Sequence, residues 1–459
     1  MSFFDTFGDA MDSVHTITPA DIERAQRNFD DCRCNAIARN AVTGSGVRAV
    51  AADPAALARA TTTFDIQLEQ GDITNQRHSG RCWMFASLNT MRFRVMRKLG
   101  LKTFELSETY PLFWDKFERS NWFFENIIAT VDAQLTSREV SYLLADPIGD
   151  GGQWDMFRAL VKKYGVVPKE AMPETALSGD TGDLRKYLTR YLRHGAKRIR
   201  DAAASGSGTE ALTELKKELM DGVYRILVIT LGEPPKTFDV RIRDERNELK
   251  ASGTYTPKEF FAEFVDMDLD AYISLINAPT DDKPYMRSYT VKYLGNVIED
   301  GSVRYVNLPI EVLKRVAVAQ LRDGLPVWFG SDVDQGFLRK EGVLDPGALD
   351  VDSLFRLPIE EGLDKAGRLD YGESLMTHAM TIQGVNLDSE GEPTRWRIEN
   401  SWGDDRGKKG YDIASTAWFD EYVYQVVVDR RYLSDEEIAA YDCDPIELAP
   451  WDPMGALAD

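Results

Sequence analysis

Met84, Leu88, Met91, Val95 and Leu99 recur at helical spacing and give one helix an apolar face. Arg92, Arg94, Arg97 and Lys98 fall toward its end, where cations complement the helix dipole, and Gly100 stops it. The polar run before it, "NQRHSGR", contains Gly80 and reads as a loop. Cys82 therefore stands at or near the N-terminus of a helix that must bury one face. That placement constrains the fold, and it raises two readings of Cys82: a nucleophile, or a small apolar residue on its way into a core.

The pattern changes along the chain. The opening 60 residues read as mainly helical, with "TPADIERAQRNF" offering a Thr cap and a Pro in the first turn. "TTTFDIQLEQ" reads as a short strand. Residues 104 to 145 continue helical and aromatic, and "DPIGDGGQWDMF" is a glycine-rich loop entering another helix. Residues 178 to 227 read as two helices joined by "ASGSG". From about 290 onward, "RYVNLPI", "LPVWFGSDV", "HAMTIQGVNLD", "TRWRIENSW" and "EYVYQVVVD" are short apolar or alternating runs that read as strands. A helical front and a β-rich back predict an α+β protein with its cleft between the halves.

Of 459 residues, 43% are hydrophobic and 28% charged, and no run approaches the roughly 18 apolar residues of a membrane span. The first residues, "MSFFDTFGDAMD", lack the basic start and apolar core of a secretory signal, so a cytoplasmic location without membrane attachment is expected. A net charge of −20 opposes nucleic acid as a general partner. Cys32 and Cys34 are spaced C-x-C, which is neither a zinc nor a redox C-x-x-C spacing. No metal or cofactor is expected.

Thiol catalysis needs a thiolate, an imidazole, a group that orients the imidazole, and donors for the oxyanion. A helix N-terminus favours the thiolate, and the backbone N–H of Cys82 can face the developing oxyanion. Gln76, six residues earlier, offers a second donor from its side-chain amide. The base must be one of four histidines: His15, His78, His194 or His378. His78 is near Cys82 in sequence but belongs to the loop. His378 opens a strand-like run, and Asn400, 22 residues later in "RIENSWGDD", can accept from one imidazole nitrogen and leave the other facing sulfur. Trp402 reads as packing that covers that bond.

"NQRHSGRCWMFA", "MTHAM" and "ENSWGDDRGKKGY" together resemble the three active-site blocks of papain-like cysteine peptidases, most closely the aminopeptidase C and bleomycin hydrolase family. Arg81 before the cysteine departs from the papain signature and matches that branch. Cys82 and His378 are 296 residues apart, against roughly 130–150 in compact papain-like enzymes. The resemblance thus implies a papain-like fold over 1–459. Its expected parts are a helical half at 1–170, a helical insertion at about 171–290, a β-rich half at about 291–445 and a C-terminal arm at 446–459.

It also implies roles: Cys82 as nucleophile, His378 as base and acid, Asn400 as orienter, Gln76 as oxyanion donor. Gly151 and Gly152 would bond the substrate backbone. The closing "PWDPMGALAD" would lie in the cleft, with Ala458 and Asp459 selecting peptides with a free N-terminus; the alternative is a frayed tail. A homohexameric ring is implied as well. A basic helix carrying Arg185, Lys186, Arg190, Arg193, Lys197, Arg198 and Arg200 reads as a solvated or inter-subunit face, or as a nucleic-acid patch.

Overall fold

In a computed structural model, residues 16–69 and 71–458 are described; His15 and Asp459, both named above, lie outside them. Helix α1 (Pro19–Asp30) opens on a capping box in which the Thr18 hydroxyl accepts from the Asp21 N–H and the Asp21 carboxylate accepts from the Thr18 N–H. It is followed by α2 (Arg33–Ser45). These helices belong with residues 349–362 to a small compact unit of its own, which also pairs the Arg356 guanidinium with Sγ of Cys32 at 2.7 Å.

Residues 54–348 and 363–459 form the large unit. Its helical part contains α3 (Cys82–Leu99), α4 (Thr109–Ala129), α5 (Arg138–Ala145), α6 (Trp154–Tyr164), α7 (Gly182–Ala204) and α8 (Thr209–Leu231). Helix α3 buries the whole stripe that its spacing predicts save Leu99 at its end, and Gly100 ends it in a left-handed conformation. Each such fully buried aliphatic side chain contributes about 1.5–3 kcal/mol. Helices α7 and α8 flank the "SGSG" turn as expected.

The strands are β1 (Ile66–Gln67), the hairpin β2 (Phe238–Arg243) and β3 (Leu249–Tyr255), then β4 (Tyr272–Ile276), β5 (Arg287–Val291), β6 (Tyr305–Asn307) and β7 (Val327–Ser331). Helix α9 (Ile310–Arg322) precedes β7. Next come β8 (Phe337–Leu338), β9 (Val343–Leu344), β10 (His378–Leu387), β11 (Pro393–Glu399), β12 (Tyr411–Ser415), β13 (Val423–Asp429) and β14 (Ile446–Leu448). All but β2 and β3 join one mixed sheet in the order β14-β5-β6-β4-β13-β7-β10-β11-β12-β9-β8, with β1 beside β10.

The architecture is α+β, and one boundary moves. Strands β4 and β5 belong to the main sheet, so the β-rich part begins at 272 rather than 291. Every residue of β4 is buried, so no polar alternation marks it in the sequence. The expected helical insertion at about 171–290 also contains the β2–β3 hairpin. There Phe238, Val240 and Ile242 alternate with polar residues ahead of a turn at Asn247, which has a positive φ of 64°.

Buried polar contacts fasten α3 to the sheet. Thr381 Oγ1 donates to the Ala86 carbonyl at 3.2 Å, Trp328 Nε1 donates to the Trp83 carbonyl at 3.3 Å, and Arg92 pairs with Glu399. An unpartnered group at any of these positions would carry its full desolvation cost. The start of α3 is therefore held against the head of β10, where His378 lies opposite Ser331 of β7.

Candidate active site

The geometry begins at Arg81, the residue before the helix that starts at Cys82. Its side chain is wholly buried and meets the Glu174 carboxylate with both terminal nitrogens, each at 2.9 Å. Burial raises the Glu174 carboxyl, but the Arg81 guanidinium outweighs this and holds it down at about 2. A fork-to-fork pair of this kind fixes orientation as well as charge. It sets Arg81 rigidly, and Cys82 follows as the first residue of α3.

The sheet brings the second block to this point. The backbone N–H of Ala379, next to His378, donates to Sγ of Cys82 at 3.5 Å. Nε2 of His378 lies 2.9 Å from Oδ1 of Asn400. With Nε2 donating to that oxygen, Nδ1 is left for the thiol. Asn400 Oδ1 also accepts from the Ser401 N–H at 2.8 Å, while Nδ2 donates to Oδ2 of Asp412 at 2.9 Å. The Trp402 ring stacks on the His378 ring with centroids 4.5 Å apart. Cys82, His378, Asn400 and Gln76 are 0%, 2%, 3% and 5% exposed, so the constellation is shielded from bulk water. Burial pushes the His378 imidazole down to about 4, against the opposing bond to Asn400, and the resting ring is neutral.

Gln76 is tied into the same cluster. Its backbone N–H donates to the Ser401 carbonyl at 2.8 Å, its Oε1 accepts from the Ser401 hydroxyl at 2.6 Å, and its Nε2 donates to the Ser79 carbonyl at 2.6 Å. One N–H of that amide is thus committed to Ser79. His78 is exposed on the loop, its backbone bonded to Gly179 and Thr181, and its side chain is not part of the cluster.

The glycine loop and the chain's end meet. The N–H of Gly152 donates to the Ala458 carbonyl at 3.2 Å, and Gln153 Nε2 donates to the Ala456 carbonyl at 2.7 Å. A Cβ on Gly151 would lie 2.7 Å from Cβ of Leu457, and one on Gly152 only 2.4 Å from the Trp83 ring. Glycine is required at both positions because the arm and Trp83, the neighbour of Cys82, approach so closely. Further back the arm is clamped by Arg138 stacked 3.6 Å from the Trp451 ring centre and by an ion pair between Lys283 and Asp452 at 3.0 Å. Ala458 is fully buried.

Asp412, Glu174 and the clamp residues Arg138 and Lys283 were not singled out from sequence. In the basic helix, Arg193 donates to the Leu144 and Ala145 carbonyls, Arg200 to those of Thr130 and Ala133, and Arg198 pairs with Glu218. Much of that charge serves intramolecular contacts.

Residues 16–455 match the model of the Peptidase C1-like family. The chain belongs to the Peptidase C1-like family. Among curated relatives, this C1-like chain is 47% identical to aminopeptidase C of Streptococcus thermophilus over 96% of its own length and 100% of the relative's. It is 44% identical to aminopeptidase C of Listeria monocytogenes, over 96% and 99%. Aminopeptidase G of Lactobacillus delbrueckii subsp. lactis is 40% identical, with 96% and 99% covered. The crystal structure of PepW from Lactobacillus rhamnosis HN001 superposes with a TM-score of 0.94 at 46% identity, covering 96% of this chain and 99% of that one.

Proposed function

We infer that this C1-like peptidase is a cysteine aminopeptidase. Cys82 sulfur attacks the first peptide carbonyl as its proton passes to Nδ1 of His378. The carbon–nitrogen bond then breaks, and the imidazolium gives its proton to the departing amine. Water, deprotonated by the same imidazole, hydrolyses the thioester and frees the N-terminal amino acid. The backbone N–H of Cys82 and the second N–H of the Gln76 amide stabilise the oxyanion. Asn400 holds the imidazole in register throughout.

The observation that carries this reading is the pairing of Ala458 with Gly152. A backbone already bonded to Gly152 denies that position to a long acyl portion. A substrate that presents only its N-terminal residue on that side does not compete with the arm, and the resemblance assigns the recognition of its protonated α-amine to the end of the arm. Ala458 and Asp459 thus select the free N-terminus, with Gly151 and Gly152 as the rail against which Leu457 and Ala458 lie. The resemblance carries two further parts of the reading, a homohexameric assembly and a cytoplasmic location. Among the described residues no helix is long and apolar enough to cross a membrane.

The test is Cys82→Ser together with removal of the last eight residues. The first should abolish hydrolysis of aminoacyl-anilides. The second should move cleavage from the first bond to bonds further along a peptide. Unchanged cleavage positions after trimming would contradict the role of the arm.

A further inference from the structure

A second cleft, about 710 Å³ in volume, opens beside Trp402. Its walls are Asn75, Arg77, Arg339, Trp402 and the loop after it, which carries Asp404, Asp405 and Arg406. It adjoins the Cys82–His378–Asn400 cluster through Trp402 and Asn75. Trp402 stacks on His378, and Asn75, adjacent to Gln76, pairs its backbone with Trp402. The amine that leaves the reaction takes its proton from His378, so the leaving half of the peptide passes along this side. The arm occupies the Gly151–Gly152 side.

The charges here differ from the rest of the chain. Segments 75–78, 334–341 and 403–410 carry six lysines and arginines against four carboxylates, on a chain with a net charge of −20. Arg339 is ion-paired with Asp334. Arg77 and Arg406 are exposed, and neither makes an ion pair among the described residues. The Arg77 backbone is set at a positive φ of 53°, with its N–H donating to Asn75 Oδ1 at 2.9 Å. The Arg339 and Arg406 guanidinium carbons lie 5.5 and 5.6 Å from the Trp402 ring centre. Planar guanidinium forks held at a cleft wall suit a carboxylate.

We propose that this cleft binds a carboxylate on the leaving side of the scissile bond through Arg77 and Arg406. Peptides whose C-terminus lies close to the cut, or which carry an acidic residue just after it, are then favoured substrates. The inference rests on the aminopeptidase reading above and names the substrate class that reading leaves open.

The test measures kcat/KM for alanine tripeptide as free acid and as C-terminal amide, and for a pair of amidated peptides with Glu or Gln after the cut. An alanyl-anilide serves as the measure of peptidase action itself. In the wild type the carboxylate-bearing member should be favoured by about fivefold at low salt, and the preference should shrink as salt screens exposed charge. Arg77→Gln with Arg406→Gln should bring the ratios to about one, and Arg406→Lys should retain part of the preference. A response in the acid/amide pair assigns the α-carboxylate, and one in the Glu/Gln pair assigns the side chain; either supports the site. Ratios of one in the wild type, or ratios unchanged in the double variant, overturn it while the anilide is still cleaved. A wild type that cleaves neither anilide nor peptide overturns the aminopeptidase reading and this inference together.

Discussion

Asn400 presents its amide oxygen to His378 because Asp412 holds its amide nitrogen, with Nδ2 and Oδ2 2.9 Å apart. A flipped amide would set its NH2 against the imidazole and its oxygen against the carboxylate, losing both bonds. Asp412 thus fixes which imidazole nitrogen is left for Cys82 without touching the imidazole itself. Asp412→Ala should lower kcat/KM by about tenfold or more, equivalent to roughly 1.4 kcal/mol. Asp412→Asn keeps an acceptor and should retain most activity. Steady-state kinetics on an aminoacyl-anilide checks both.

The pH profile carries the same signature. Burial holds the His378 imidazole at about 4, so in the free enzyme the ring stays neutral until the pH falls that far. Burial also lifts the Asp412 carboxyl to about 6, opposed by the Asn400 bond. Its ionised form, the stronger acceptor for Asn400, is gained as pH rises through 6. The acid side of kcat/KM should therefore show a shoulder near pH 6 and a steeper loss near pH 4. Asp412→Asn should remove the shoulder and leave the second loss in place.

The Arg81–Glu174 pair is a stability element beside Cys82. Removing one member leaves a buried charge without its partner, at a cost of about 3–5 kcal/mol. Glu174 is slightly exposed, which favours the lower end for Glu174→Ala. The Glu174 carboxyl is depressed in the folded state, so its contribution is present above about pH 4.5 and fades as pH falls toward about 2. Denaturant unfolding at pH 7 and pH 3 should show the variant's deficit shrinking at the lower pH.

Gly151 tests the arm without shortening it. A methyl group there collides with Leu457 and the Ala458 carbonyl, so Gly151→Ala should push the arm from its rail. The variant should gain activity toward N-acetylated substrates relative to free-amine ones by several-fold. Removing Lys283, which anchors Asp452, should move the ratio in the same direction by less.

What the sequence shows of this site follows from how local each feature is. Cys82 at a helix start, His378 at a strand start and Asn400 in its turn are each marked by neighbours within a few residues. Asp412 and Glu174 are not: each acts through a partner that only the assembled sheet or loop brings near. Strand β4 is hidden for a related reason, since burial on both faces erases its alternation. The β2–β3 hairpin did carry an alternating signal, overshadowed by the charged helices before it.

The most direct measurement compares hydrolysis of an aminoacyl-anilide with that of its N-acetyl derivative by the full-length enzyme. With Cys82 as nucleophile and the arm seated on Gly152, the free-amine substrate should be cleaved at least a hundredfold faster, a difference of about 2.7 kcal/mol. Equal rates on the two substrates would contradict the aminopeptidase account.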